Sequence, residues 1–346
     1  MTFYQQLQLN QIGSKQLIKN AQSPNEKLCY IAIYLFKIFL TLAFCMAFVV
    51  AYSTFFGSDN SIVGVVILLF VMVFRNADLG IHTPHAIPSL LGIFIILAFG
   101  PRLAHTNHVF ISLFIHLICI GTLMFLGCHN VIMSNHSTLV LGYLLLYGYD
   151  VSGTSYMQRL VGIAVGALLT CIVYYRNHHK KVYKRKFQDL FKEFNLHSSR
   201  TKWQVILTLS VASILFIAEY VQLPRAMWAG IAAMSILVPF REDTKTRVKQ
   251  RILGNLMGNF LFLLIYLYCP NFIYDNIGII GGIGVGLSAS YGWQAVFNTF
   301  GALSIATSLF GLKGALFYRL FNNSFGAIYG LAIDKLFHKY LKSFNI

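Results

Sequence analysis

The chain has 346 residues, 57% hydrophobic and only 11% charged, with a mean hydropathy of +0.65. A soluble fold of this length needs far more polar surface, so composition excludes that class and points to an all-α polytopic membrane protein. Lys and Arg number 27 against 11 acids, a formal charge of +16, and where those charges fall decides whether nucleic acid or a lipid surface is the partner.

Residues 1–27 are polar, carry Lys15, Lys19 and Lys27, and are broken by Gly13 and Pro24. They read as a cytoplasmic arm, in part an interfacial helix. The first apolar run, 28–52, is interrupted only by Lys37 and has full membrane length, so a span rather than a cleaved leader is expected there. Runs at 61–74, 89–100, 108–126, 131–149 and 157–175 complete a set of six. Several fall short of the ~20 residues of a straight span, so flanking aromatics must finish them. Residues 176–202 hold nine Lys/Arg against Asp189 and Glu193 and read as a solvated cytoplasmic linker or surface helix. A second set of six follows at 203–221, 227–240, 251–268, 277–290, 293–310 and 315–337, and a short basic tail, 338–346, ends the chain. The expected division is thus an arm (1–27), a first six-helix repeat (28–175), a linker (176–202), a second six-helix repeat (203–337) and a tail. The six cysteines show no paired metal spacing and mostly sit in apolar runs, as small core residues do.

The halves answer each other. KIFLTL (37–42) pairs with QVILTL (204–209), VFRNAD (73–78) with PFRED (239–243), LLGIF (90–94) with LMGNF (256–260), and RLVGIAVGA (159–167) with RLFNNSFGA (319–327). Offsets of about 160 to 167 residues hold throughout, which marks duplication of a six-span unit. A finer pattern sits inside each half. His85/Gly92, Arg159/Gly166, Arg251/Gly258 and Arg319/Gly326 each place a basic residue and a glycine seven apart, on one helix face, at the opening of spans three, six, nine and twelve. Three spans between copies invert the topology, so each half reads as two inverted three-helix repeats, a ground plan of secondary transporters.

With the N-terminus cytoplasmic, 21 of the 27 basic residues fall in the arm, inner loops, linker and tail. The basic excess is then a topology signal for a plasma-membrane protein with both termini inside, and nucleic acid is set aside as a partner. Enzyme motifs are absent: there is no HExxH, G-x-S-x-G or P-loop, and no cofactor is expected. Gly281, Gly282, Gly284 and Gly286 lie inside an apolar run with no strand before them and read as close helix packing. The pairs His82/His85 and His105/His108 lack nearby Cys or acidic ligands, so no metal is expected either.

The second half resembles the fusaric acid resistance and aromatic acid exporter superfamily of integral membrane transporters. The residues that carry the likeness are Met227-Trp228, Pro239, the loop with Thr244, Thr246 and Arg247, the run Arg251–Gly254–Gly258, and Arg319 with Gly326. The likeness covers residues 200–337 well and 28–175 more weakly, since the first half lacks the Trp and has His85 in place of an arginine. It implies export or passive passage of organic anions, chiefly aromatic carboxylates. Aluminium-activated malate channels of plants are more distantly similar and imply a paired six-helix pore. Many bacterial members carry large cytoplasmic domains after each membrane block, where this chain has only a short linker.

Candidate pathway residues are the charges and polar groups at spans: Arg159, Arg319, Arg251, Lys37, Trp228, Asn322 and Asn323. A buried arginine offers a carboxylate a bidentate fork, while the bland alternatives are snorkelling or pairing with Asp150, Glu219 or Asp275. Trp228 reads as an interface anchor or an aromatic platform. Gly166, Gly258 and Gly326 read as packing positions, and Arg241 and Asp243, in a loop dense in both signs, as an ion-pair network or gate. The expected partners are a small organic anion and the bilayer. The duplication lets one chain mimic a dimer of six-span units and leaves a homodimer of the whole chain open. Translocation of a lipid or cell-envelope precursor, or a scaffold acting through residues 176–202, are the alternative functions.

Overall fold

The computed structural model describes residues 1–239 and 244–343, and all regular elements among them are helical. The apolar helices are α1 (Pro24–Phe56), α2 (Ser61–Phe74), α3 (Thr83–Thr106), α4 (Val109–Gly127), α5 (His136–Gly148), α6 (Gly153–His178), α7 (Ser199–Tyr220), α8 (Met227–Ile236), α9 (Thr244–Tyr268) and α10 (Ile277–Leu287). The stretch Tyr291–Ser343 is broken at Gly311, whose φ of 67° no helix accommodates, into α11 (291–310) and α12 (312–343). Seven stretches, the last of them holding both α11 and α12, are long and apolar enough to cross a membrane. The chain is an all-α polytopic membrane protein.

Helix ends follow local chemistry more than hydropathy. Pro24 opens α1 earlier than the apolar run does, because a first-turn proline has no amide that needs a partner. The Ser198 hydroxyl accepts from Thr201 N and caps α7. The run at 131–149 becomes a helix only from His136, since Val131–Met133 is a 3-10 turn and Ser134 is left-handed at φ 51°. The run at 227–240 stops being helical at Ile236, where Pro239 holds the preceding residues out of the helical region. Trp203 Nε1 donates to the Leu237 carbonyl just past that end, at 2.8 Å. The arm forms two short helices, Phe3–Gln8 and Gln11–Lys19, capped by Thr2 and Asn10.

α8 has 10 residues and spans roughly 15 Å, half the ~30 Å hydrocarbon thickness. Non-helical backbone at such depth is tolerated only inside protein, and α8 buries Met227, Trp228, Ala229, Gly230, Ala232, Ala233, Met234 and Ile236 accordingly. Its counterpart α2 has 14 residues and is likewise largely enclosed.

The chain packs as two compact units. One comprises Met1–Ala47 and Lys249–Phe321; the other comprises Phe48–Val248 and Asn322–Ile346. The units therefore cut across the division of the sequence at residues 176–202. In the first unit, α1 packs on α10, with the Tyr34 hydroxyl donating to Gly286 O at 2.9 Å, and α9 packs on α11. In the second, α3 packs on α4, α5 and α6, α2 on α5 and α6, and α7 on α4 and α8. The later part of α12 lies on α7 and α8: Phe325 and Tyr329 cover Ile214, Ala229 and Ala233, and Tyr329 donates to Ser213 Oγ at 2.8 Å. Each half of the sequence thus gives its first helix to a helix of the other half, α1 to α10 and α7 to α4.

Candidate functional site

Arg159 is 3% exposed and fully engaged. Its Nε donates to Asn60 Oδ1 (3.1 Å), Nη1 to Leu146 O (3.3 Å) and Nη2 to Tyr149 O (2.6 Å). Leu146 and Tyr149 are at the C-terminal end of α5, where carbonyls lack helical partners and the helix dipole favours a cation. Asn60 Nδ2 in turn donates to Phe56 O and Ser155 O, so the guanidinium ties the end of α5 to the turn before α2. Asn322, also buried, does the equivalent task before α8, donating to Pro224 O at 2.8 Å, and Asn323 beside it is buried as well.

Arg319 is buried and donates through Nη2 to Asn298 O at 3.4 Å. Arg251 is buried on α9, and four and eight residues on come Asn255 and Asn259, buried on the same face. The Thr299 hydroxyl of α11 donates to Asn255 Oδ1 at 3.1 Å. Gly258 shares that seam, where a Cβ would lie 2.6 Å from Val296 O, so glycine is what lets α9 and α11 carry polar groups at contact distance. Asn255 and Asn259 escape a reading that weighs charges alone, although their four-residue spacing after Arg251 is visible in the sequence. Gly326 rests on the Ala229 backbone of α8 and Gly166 on Ile67 of α2, repeat-related contacts. Trp228 is 3% exposed, so it is a core residue of α8 rather than an anchor at the bilayer surface, which would have to reach the headgroups. Arg241 and Asp243 lie outside the described residues.

Lys37 Nζ donates to Leu9 O (3.0 Å) and Ser14 Oγ (2.6 Å) and stands 5.0 Å over the Tyr34 ring. It lines a cavity of about 460 Å³ with Tyr34, Thr41, Gly282 and Gly286. At the repeat-related position Gln204 lines a second cavity of about 460 Å³, with Gly121, Phe125, Phe191, Phe194 and Thr208. Each cavity lies between a half's first helix and a helix of the other half. The linker borders the second one: the rings of Phe191 and Phe194 meet Phe125 edge-on, at 4.9 and 5.8 Å between centroids.

Beside the linker, His129 Nε2 sits 3.1 Å from both Glu193 Oε2 and Arg200 Nη1, and Arg185 Nε donates to Glu193 Oε1 at 2.7 Å. Burial, helped by the Arg200 charge, pushes His129 down to about 4. Burial pushes the Glu193 carboxyl up, but hydrogen bonds from Arg185 and Arg200 outweigh it and hold the group below its ordinary value. The rings of His82 and His85 are 6.1 Å apart, and among the described residues no third His, Cys, Asp or Glu joins them.

One polar cluster was not anticipated as a site. His116 of α4, Tyr143 and Tyr147 of α5 and Glu219 of α7 converge in the interior of the second unit. The signal was present, since Glu219 is an acid inside an apolar run, but its partner lies 103 residues away in another span. An ionisable group in a span marks a functional site by default.

Residues 203–333, from α7 into α12, match the model of a family described as fusaric acid resistance protein-like. No curated protein and no solved structure matches the chain.

Proposed function

We propose that this chain, a multi-pass membrane protein whose residues 203–333 match the model of the fusaric acid resistance protein-like family, exports organic anions, with aromatic carboxylates as the substrate class. The observation that carries the reading is the polar seam of α9: Arg251, Asn255 and Asn259, buried in succession inside the matched segment and joined by Thr299. Burying a cation inside a span is costly, and the cost is offset where an anion is to be received. Arg319, buried in the same unit, adds a second guanidinium. The aromatic preference is an inference from the family alone.

The distribution of basic residues supports a plasma-membrane setting with both termini in the cytoplasm. In that setting the negative-inside potential itself drives an anion outward by ~2.3 kcal/mol per charge per 100 mV, and transport requires no covalent step. Potential-driven flux of aromatic and dicarboxylic acids from proteoliposomes tests the proposal. We expect Arg251→Gln to lower the flux about tenfold or more, the loss of a charge-assisted contact to the anion. Flux equal to the parent in Arg251→Gln and Arg319→Gln would remove the seam as the pathway.

A further inference from the structure

We propose that the seam between α4 and α7 binds one anionic phospholipid, its phosphate head in a basic pocket and an acyl chain in the adjoining apolar cavity. The inference stands independently of the export reading. Every residue it uses lies within one compact unit, in the segment Phe48–Val248.

The pocket, of about 350 Å³, is built from three connecting segments and the start of α7. Asp78 comes from the loop after α2, His129 and Asn130 from the loop after α4, Lys184 and Arg185 from the linker, and Arg200 from the first turn of α7. The carboxylates nearby are already engaged. Asp78 Oδ1 accepts from Gly80 N at 2.8 Å and from Asn130 Nδ2 at 3.0 Å. Glu193 accepts from Arg185 Nε at 2.7 Å and from Arg200 Nη1 at 3.3 Å, and its carbonyl accepts from Arg200 Nη2 at 2.9 Å. Glu193 thus fixes both guanidinium groups at the pocket. Among the described residues, the Nη atoms of Arg185 and Nζ of Lys184 have no partner. Burial keeps His129 neutral at neutral pH, so three cations against two carboxylates leave one positive charge. A head with one net negative charge balances it, and phosphate oxygens accept from such donors.

The cavity of about 460 Å³ begins about one helical turn further along both elements. Phe125 precedes His129 by four residues, and Gln204 follows Arg200 by four. The α7 wall continues to Thr208 and Leu209, so pocket and cavity together cover about 13 Å of helix rise. Hydrogen bonding makes this wall apolar. Gln204 Nε2 donates to Met124 O and Cys128 O, Thr122 Oγ1 to Ile118 O, and Thr208 Oγ1 to Gln204 O. Each polar side chain there gives its donor to a backbone carbonyl, while Phe125, Val205 and Leu209 supply hydrocarbon. Phe191 and Phe194 of the linker, 60% and 46% exposed, add aromatic edges to it.

Charge therefore lies at the end of the α7 span and hydrocarbon within it, whichever way the chain is oriented in the bilayer. That is the polarity of a lipid. A small soluble anion would use the pocket and leave the cavity unfilled.

Native mass spectrometry of the full chain in detergent tests the site, with phosphatidylglycerol set against phosphatidylcholine of the same acyl chains. The parent should retain one phosphatidylglycerol more tightly than phosphatidylcholine. Lys184→Gln and Arg185→Gln should each weaken that binding about fivefold. Lys180→Gln/Lys181→Gln removes two exposed charges outside the pocket and should bind as the parent does. Val205→Phe, which fills the cavity, should also weaken retention while its circular dichroism and elution volume match the parent's. Equal retention of the two lipids by the parent would overturn the proposal. So would a loss in Lys180→Gln/Lys181→Gln as large as in Lys184→Gln/Arg185→Gln, the mark of diffuse surface charge, or unweakened binding in folded Val205→Phe. Displacement by glycerol phosphate at the lipid's own concentration would overturn it as well, by showing a site for soluble anions.

Discussion

At the scale of single residues, the hydrogen-bond acceptors of a buried arginine show what it holds together. Arg159 opens one of the recurring Arg–Gly motifs, and its hydrogen bonds end on two backbone carbonyls and on Asn60. Arg159→Met should leave two carbonyls and an amide oxygen buried without a donor, at about 1–3 kcal/mol each before relaxation, and so lower Tm in detergent. Arg159→Lys should rescue little, because an ammonium cannot reproduce the fork. The burial of Arg159 was legible from an arginine inside an apolar run, but its task was not, since backbone acceptors leave no trace in side-chain sequence. His129 makes a second test. Its folded value, about 4, lies below the ordinary 6.5, so the unfolded chain binds more protons between those limits. Stability should fall as pH drops from about 6.5 toward 4, and Tm of His129→Gln should vary less across that window.

At the scale of elements, length and small residues decide what packs where. Gly258 faces the Val296 carbonyl at 2.6 Å from where its Cβ would be, whereas a Cβ at Gly278 would meet nothing within 4 Å. Gly258→Val should therefore force α9 off α11 and reduce the yield of monodisperse protein in size-exclusion chromatography, while Gly278→Ala should behave as the parent. Most spans were legible from hydropathy, because a run of apolar residues bounded by charges admits few alternatives to a helix. The misplaced ends came from backbone chemistry that hydropathy does not see, the left-handed Ser134 and the proline after α8, whereas the break at Gly311 falls between the runs 293–310 and 315–337. Trp228, in the first turn of α8, is buried in the core, which its place at the start of an apolar run does not reveal.

At the scale of the whole molecule, the similar segments KIFLTL and QVILTL are put to the same use. Each belongs to a first helix packed against a helix of the other half and lining a cavity of about 460 Å³. The exchange of helices between halves could not be read in advance, since a repeat fixes which residues are equivalent but not which copy each one packs on. One consequence is measurable: Tyr34→Phe should weaken the α1–α10 pairing by about 1 kcal/mol, the net value of the hydrogen bond to Gly286. The transport claim rests on the α9 seam and the family match together, and efflux from proteoliposomes tests it most directly. Vesicles holding the purified chain and loaded with an aromatic carboxylate should release it saturably under an inside-negative potential, and Arg251→Gln should abolish most of that release. Release no faster than from empty vesicles, for every acid in the panel and with the protein shown to be folded, would contradict it.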